Sequence, residues 1–388
     1  MFKKYFKAAE RKNTASIKWD YQMNDYGADN LLPFSIADSD YRVHQPILDA
    51  MKKRIDSGAL GYTEADDAYF KAVTDWAAKR HDWEVKPEWI VPVEGIVPTM
   101  SYLIEALTSE NAGVIVQPPV YYPFYSIAKT EGRRLLKNDL ILDDDGYRMD
   151  YDCLEKLCAR GAEALILCSP HNPVCRLWTE GEIRKLSEIC NRYGVLVVSD
   201  EIHWDLALGG RKHFTAGRAE ELHERLAVCV SCSKTFNLAG LKTSNIIIPD
   251  EGLRKKFQER LYARYLYVPN TLGLESVKAA YTFGGEWADA QAQFLTENAN
   301  AVAEFFNKRM PSVKVARPEA TFLLWFDFRH YGLSSGQLVE RFAKAGAGLN
   351  NGKNYGENYD GFIRMNIACP REQLIEGLER IDSALRKN

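Results

Sequence analysis

The chain has 388 residues, 46% of them hydrophobic and 12% aromatic, and its 50 Lys plus Arg against 53 Asp plus Glu leave a formal net charge of −3. Such a balance excludes the polybasic footprint of a nucleic-acid or membrane-surface binder, and the aromatic content excludes a mainly disordered chain. The length exceeds what one core usually serves, so two domains are expected.

No apolar run approaches the roughly 20 residues that span a bilayer. The opening Met1-Phe2-Lys3-Lys4-Tyr5-Phe6-Lys7 lacks the apolar stretch of a secretory leader, so a cytoplasmic protein is expected. Eight cysteines are too few for a disulfide scaffold of this length. Cys229 and Cys232 have C-x-x-C spacing, but Cys229 sits within an apolar run, 226–230, that reads as a buried strand. Residues three apart on a strand face opposite ways, and no second pair completes a zinc site. They read as small core residues.

Taken in chain order, Glu94-Gly95-Ile96-Val97-Pro98 precedes an apolar-periodic segment ending near Leu107. Pro98 suits a first helical turn, and amides at Gly95, Ile96 and Val97 would offer an anion site at a helix N-terminus. Short apolar runs at 114–116, 164–168, 195–198, 226–230 and 246–248 suit strands buried on both faces of a parallel sheet. Between the second and third runs, Thr179 and Glu182 form a capping box. Ile183, Leu186, Ile189, Cys190 and Tyr193 then recur at helical spacing, and Gly194 ends the helix. Strand, helix, strand within about 35 residues is a βαβ unit. Beyond a break at Gly284-Gly285, a helix over 286–308 and a strand within 321–328 are expected. A helix over 335–345, a Gly/Asn-rich loop over 346–361, a strand over 362–366 and a helix over 372–385 follow. The fold class is therefore α/β for a large domain over 46–285, plus a smaller α+β domain over 286–388. Residues 1–45 are expected to pack with the smaller one.

Polar clusters fall where three predicted strands end: Ser169-Pro170-His171-Asn172-Pro173, Ser199-Asp200-Glu201-Ile202-His203 and Ser231-Cys232-Ser233-Lys234. Ligands of open α/β sheets bind beyond the carboxyl ends of the strands, so the clusters face one pocket. A carboxylate, a carboxamide and a lysine held there suit a cofactor with a ring, a carbonyl carbon and a phosphate.

At these residues, and at Ala37-Asp38, Gly61-Tyr62-Thr63, residues 119–123, residues 231–241 and Arg364, the chain resembles the fold-type I pyridoxal-phosphate enzymes of the aspartate aminotransferase superfamily. Within them it is most similar to the cystathionine β-lyase and C–S lyase branch that includes the MalY and PatB proteins. The resemblance implies a mostly parallel seven-stranded sheet and pyridoxal 5'-phosphate held by Lys234 as a Schiff base. It implies that Lys234 then serves as base at the substrate α-carbon, which requires an amine able to lose its proton. Asp200 would pair with the pyridine nitrogen, Tyr121 would stack on the ring, and Asn172 and His203 would approach the phenolic oxygen. Gly95, Ile96, Val97, Ser231 and Lys242 would meet the phosphate, with Tyr62 reaching it from the second subunit of a homodimer that shares its active sites. Arg364, helped by Asn172 and the backbone at Ala37, would clamp the substrate α-carboxylate. No metal is implied.

Four positions depart from the branch's usual pattern. Cys175 replaces a glycine, Ser35 and Ser39 stand where Trp and Met are frequent, and Asn351 stands where proline is usual. They are expected to reshape the substrate entrance. The implied activity is β-elimination on an amino-acid thioether, with an aminotransferase as the first alternative. A regulatory protein that sequesters a transcription factor is the alternative of another class.

Overall fold

The computed structural model describes residues 6–21, 30–266 and 268–386. The opening Met1 to Tyr5, and residues 22–29 of the N-terminal segment, lie outside the described residues.

Seven strands form the large sheet: β1 (Ile90–Val93), β2 (Gly113–Val116), β3 (Arg134–Lys137), β4 (Ala162–Cys168), β5 (Leu196–Asp200), β6 (Leu226–Val230) and β7 (Ser244–Ile247), in the order β1-β7-β6-β5-β4-β2-β3. From β6 through β3 every pairing is parallel. β5 and β6 are buried at every position, because helices cover both faces. Alternate residues accordingly enter two separate cores, Leu165, Val197 and Val228 one of them and Ile166, Val198 and Ala227 the other.

The run at 246–248 differs from its expectation: β7 is antiparallel to both neighbours. A parallel return needs a crossover of a dozen or more residues, usually a helix, and residues 231–243 hold only a turn and a short 3₁₀ segment. β1 and β3 were not legible. β1 contains Pro92, which argues against a strand except at an edge. β3 is a half-exposed Arg-Leu-Leu-Lys edge with too little apolar pattern to register.

The helix Glu180–Tyr193 carries the expected capping box. The Glu182 amide donates to Thr179 Oγ1 (3.2 Å), the Thr179 amide donates to Glu182 Oε2 (2.8 Å), and Gly194 ends the helix at φ 72°. Beyond residue 284, the helices Gly285–Arg309, Ser335–Lys344 and Arg371–Arg386 accompany an antiparallel sheet. Its strands are Lys314–Val315, Leu323–Asp327, Phe362–Asn366 and Asn350–Asn351, in that order. The 346–361 segment, expected as loop, also supplies Ala347–Gly348, which pairs in parallel with Leu32–Pro33. Phe6 packs on Trp287 and Phe294, so the N-terminal segment touches the long helix as well. Among the described residues no helix is long and apolar enough to cross a membrane.

Candidate active site

The polar clusters converge because β1, β2, β4, β5 and β6 point the same way and end at one edge. Cys168 and Asp200 are register partners at the ends of β4 and β5, and Asp200 also pairs with Cys229 of β6. Above that edge lies a cavity of about 250 Å³. Ala37, Gly95, Ile96, Val97, Tyr121, Asn172, Asp200, His203, Lys234 and Lys242 line it.

Lys234 lies in the turn after β6, and its Nζ donates to the Ala37 carbonyl at 2.7 Å. Burial pulls the amine down to about 8, with Arg364 pulling the same way and Asp38 and Asp200 opposing. A lysine so placed sheds its proton near pH 8, well below the range of an exposed lysine. Asp200 is buried, and its Oδ1 accepts the Ile202 amide at 3.1 Å. Burial pushes its carboxyl up to about 7, against the pull of that amide and of Lys234. His203 is buried, its Nδ1 has no hydrogen-bond partner, and burial holds the ring well below its ordinary value. Tyr121 stands edge-on to Phe124 at 5.8 Å, its hydroxyl pushed up to about 12 by burial.

Arg364 stands in the Phe362–Asn366 strand behind the cavity. Its Nη1 donates to Asn172 Oδ1 (3.2 Å) and its Nη2 to the Ser35 carbonyl (2.5 Å), over the Tyr355 ring at 5.2 Å. With its carbonyl thus taken, the Asn172 carboxamide keeps its NH₂ as donor. Asn366 Nδ2 donates to the Ile36 and Asp38 carbonyls, and Asn237 Nδ2 to those of Ser39 and Tyr41. The 35–41 segment is therefore held from both sides, which sets the Ala37 carbonyl against the lysine.

The helix Ile96–Leu107 aims its N-terminus at the cavity. Ile96 and Val97 are its first residues, and amides of a first turn have no acceptor within the helix. Gly95, at φ 83°, makes the turn into it, but its own amide donates back to the Val93 carbonyl at 3.1 Å. That leaves two of the three expected amides for an anion. Ser231 also differs from its expected place. Its hydroxyl donates to the Thr243 carbonyl (3.0 Å) and accepts the Ser233 amide (3.1 Å), behind the wall. Ser233, Thr243 and Ser244 line the cavity instead. Their signal was position, since Ser233 adjoins the lysine and Thr243-Ser244 opens the next strand at the same edge. Tyr62 is fully exposed and outside the cavity.

The four departures do not line the cavity. Cys175 adopts φ 62°, the left-handed region that favours glycine, and is buried with its thiol donating to the Leu323 carbonyl at 2.9 Å. Ser35 and Ser39 are buried, and Ser39 Oγ accepts the Tyr41 amide. Asn351 Oδ1 accepts the Lys353 amide. The Cys175, Ser39 and Asn351 side chains thus serve turns and packing. Cys229 and Cys232 are likewise buried and free, and no metal-holding group of His, Cys, Asp or Glu occurs among the described residues.

The model of the family Aminotransferase class I and II matches residues 29–381. The chain belongs to that family. Cystathionine beta-lyase PatB of Bacillus subtilis (strain 168) is 41% identical over 98% of this chain and 99% of its own. Cystalysin from Treponema denticola, whose structure contains a pyridoxal 5'-phosphate cofactor, matches with a TM-score of 0.95 at 33% identity, over 98% of each chain. The PLP-bound C–S lyase from Staphylococcus hominis matches with a TM-score of 0.92 at 29% identity, over 98% of this chain and 97% of that one. The cavity fits pyridoxal phosphate on its own chemistry. It offers a buried carboxylate for a ring N–H, a partnerless imidazole nitrogen, an amine with a depressed proton affinity and a helix N-terminus for a phosphate.

Proposed function

We propose that the protein is a homodimeric pyridoxal-phosphate-dependent lyase that cleaves the C–S bond of cystathionine or a related cysteine S-conjugate by β-elimination. The observation that carries this reading is a single cavity shared by the readily deprotonated Lys234, the buried Asp200 and a helix N-terminus. The names of the relatives support the lyase outcome over amino transfer.

Lys234 would hold the cofactor, Asp200 its ring nitrogen, Tyr121 its ring face, and Asn172 and His203 its phenolic oxygen. The Ile96 and Val97 amides, Ser233 and Lys242 would hold its phosphate. Bound there, the cofactor would supply an electron-accepting ring for the pair left on the substrate's α-carbon when the α C–H bond breaks. Arg364 takes the α-carboxylate in its planar fork, a geometry lysine lacks, and so sets the α C–H toward Lys234. Lys234 Nζ accepts the α-proton, and the sulfur leaves the β-carbon with its bonding pair. With one water consumed, the products are a thiol, pyruvate and ammonia.

Tyr62 supports the dimer. It is fully exposed near the half-exposed Leu60, on a segment tied by the Thr271 hydroxyl to the Gly61 carbonyl, and so is free to reach a second protomer's cavity. Residues 46–285 are assigned to the cofactor-binding domain and 286–388 to the smaller one, with 1–45 joining the latter. The partners of such an enzyme are an amino-acid thioether and a second copy of the chain, with no nucleic acid or membrane, in the cytoplasm.

Purified protein given cystathionine and no keto acid should release thiol, pyruvate and ammonia in equal amounts. Product formation only when a keto acid is supplied would sink the lyase reading. Arg364→Lys should weaken kcat/KM about 30-fold, from the loss of about 2 kcal/mol of charge-assisted bonding. Steady-state kinetics would show it, with the cofactor's visible absorbance unchanged.

A further inference from the structure

A second carboxylate is buried behind the Lys234 turn and does not line the cavity. Asp205, five residues past Asp200, has its Oδ1 accepting the Trp76 indole N–H at 3.0 Å and 2.9 Å from His81 Nε2. Its Oδ2 accepts the Thr235 hydroxyl at 2.9 Å. Trp76 and His81 belong to the helix Asp67–His81. His81 lies flat on Trp204 (3.9 Å between centroids, 9° between planes), and Trp76 stacks on Tyr281 at 4.9 Å. A helix and two aromatic stacks therefore fix this carboxylate in place.

What it holds on its other oxygen is the residue next to Lys234. That turn belongs to no helix or strand. Its other tethers are the Ser233 amide on Ser231 Oγ (3.1 Å), two backbone bonds, Phe236 N to Cys232 O and Leu238 N to Ser233 O, and the Asn237 side chain on the 39–41 backbone. On the C-terminal side of the lysine, the Thr235 bond is the side-chain tether adjacent to it, and the Asn237 bonds lie two residues further on. A buried charge is costly unless fully bonded, and the reaction described above makes no use of this one.

We infer that Asp205 is a positioning residue for Lys234, fixing through the Thr235 hydroxyl where the lysine backbone, and with it the amine, stands over the cavity. The inference rests on Lys234 being the proton acceptor proposed above. Misplacing a reacting group by about 1 Å costs on the order of 100-fold in rate, so a loosened turn should be visible in turnover.

Asp205→Ala would strand His81 and Trp76 and endanger folding, so the decisive variant is Thr235→Val, which removes one hydroxyl and keeps the shape. In the holoenzyme kcat should fall about tenfold or more with KM little changed, and Thr235→Ser should restore it. Reductive methylation of Lys234 in the full chain freed of cofactor, followed across pH by mass spectrometry, reads the amine without catalysis. Its midpoint should lie near 8 in the wild type and rise toward the ordinary lysine value in Thr235→Val, as the amine reaches solvent. A Thr235→Val protein that melts earlier but keeps both kcat and the methylation midpoint would overturn the inference. So would a Thr235→Ser protein as slow as the valine variant. If the wild type takes up no cofactor, the proposed reaction fails, and the methylation midpoint by itself decides the role of Asp205.

Discussion

Lys234→Met is expected to abolish C–S cleavage and yet make the cofactor-free protein more stable at neutral pH. Loss of one positioned proton acceptor costs up to about 10⁴-fold, and here the same side chain also carries the cofactor, so turnover should fall by at least that much. The stability gain comes from the environment that suits the amine to its task. Burial lowers its proton affinity from the ordinary 10.5 to about 8, so below pH 8 the folded protein holds a charge the cavity disfavours. That displacement corresponds to ~3 kcal/mol at most, and the lost bond to the Ala37 carbonyl offsets about 1 kcal/mol. A net gain of about 1–2 kcal/mol should remain. Between about pH 8 and 10.5 the unfolded chain keeps a lysine proton that the folded chain has shed, so wild-type stability rises with pH there. The advantage of the methionine variant is therefore full below pH 8 and gone by about 10.5. Denaturant titrations of both proteins across this range would measure it. A variant less stable than wild type at pH 7 would mean that the amine is not buried as described.

The same contrast between burial and bonding separates what the sequence made legible from what it did not. β4, β5 and β6 were readable because strands covered on both faces need unbroken apolar runs, and the polar residues that end such runs then mark the ligand edge. Asp200, Asn172 and Lys234 follow directly from that edge. The direction of β7 was not readable, since an apolar run is the same in either sense and only the short 231–243 connection decides it. Ser231 and Ser233 could not be ranked by type. They are two residues apart around one turn, and which hydroxyl faces the cavity depends on Ser231 being drawn to the Thr243 carbonyl. Gly95 was legible as a turn but not as an amide already spent on Val93. Asp205 was invisible for a different reason. Its partners lie 129, 124 and 30 residues away, and no local pattern announces a carboxylate whose donors arrive from a distant helix.

Asp200→Asn is expected to bind the cofactor but lower turnover by about 10²–10³-fold, the scale of removing one preorganised electrostatic partner. Asparagine keeps the shape and can still accept the Ile202 amide, so the β5 terminus should hold. What disappears is the negative charge that stabilises a protonated ring nitrogen and keeps the ring electron-poor. The pH dependence gives a sharper result. In the cofactor-free protein burial pushes this carboxyl up to about 7, with the Ile202 amide and Lys234 pulling it back only in part. Below pH 7 the folded protein thus holds a proton on Asp200 that must leave before an N–H⁺ can be paired there. One proton released on binding makes the dissociation constant rise by up to about tenfold for each pH unit below 7, and the dependence levels off above it. Asp200→Asn has no such proton to release, so that component of the slope should be missing. Fluorescence titration of both cofactor-free proteins between pH 5.5 and 8.5 (a range set roughly by the one-proton slope) would compare them. Parallel curves would show that Asp200 does not face the ring nitrogen and would return the electron-sink role to another group in the cavity.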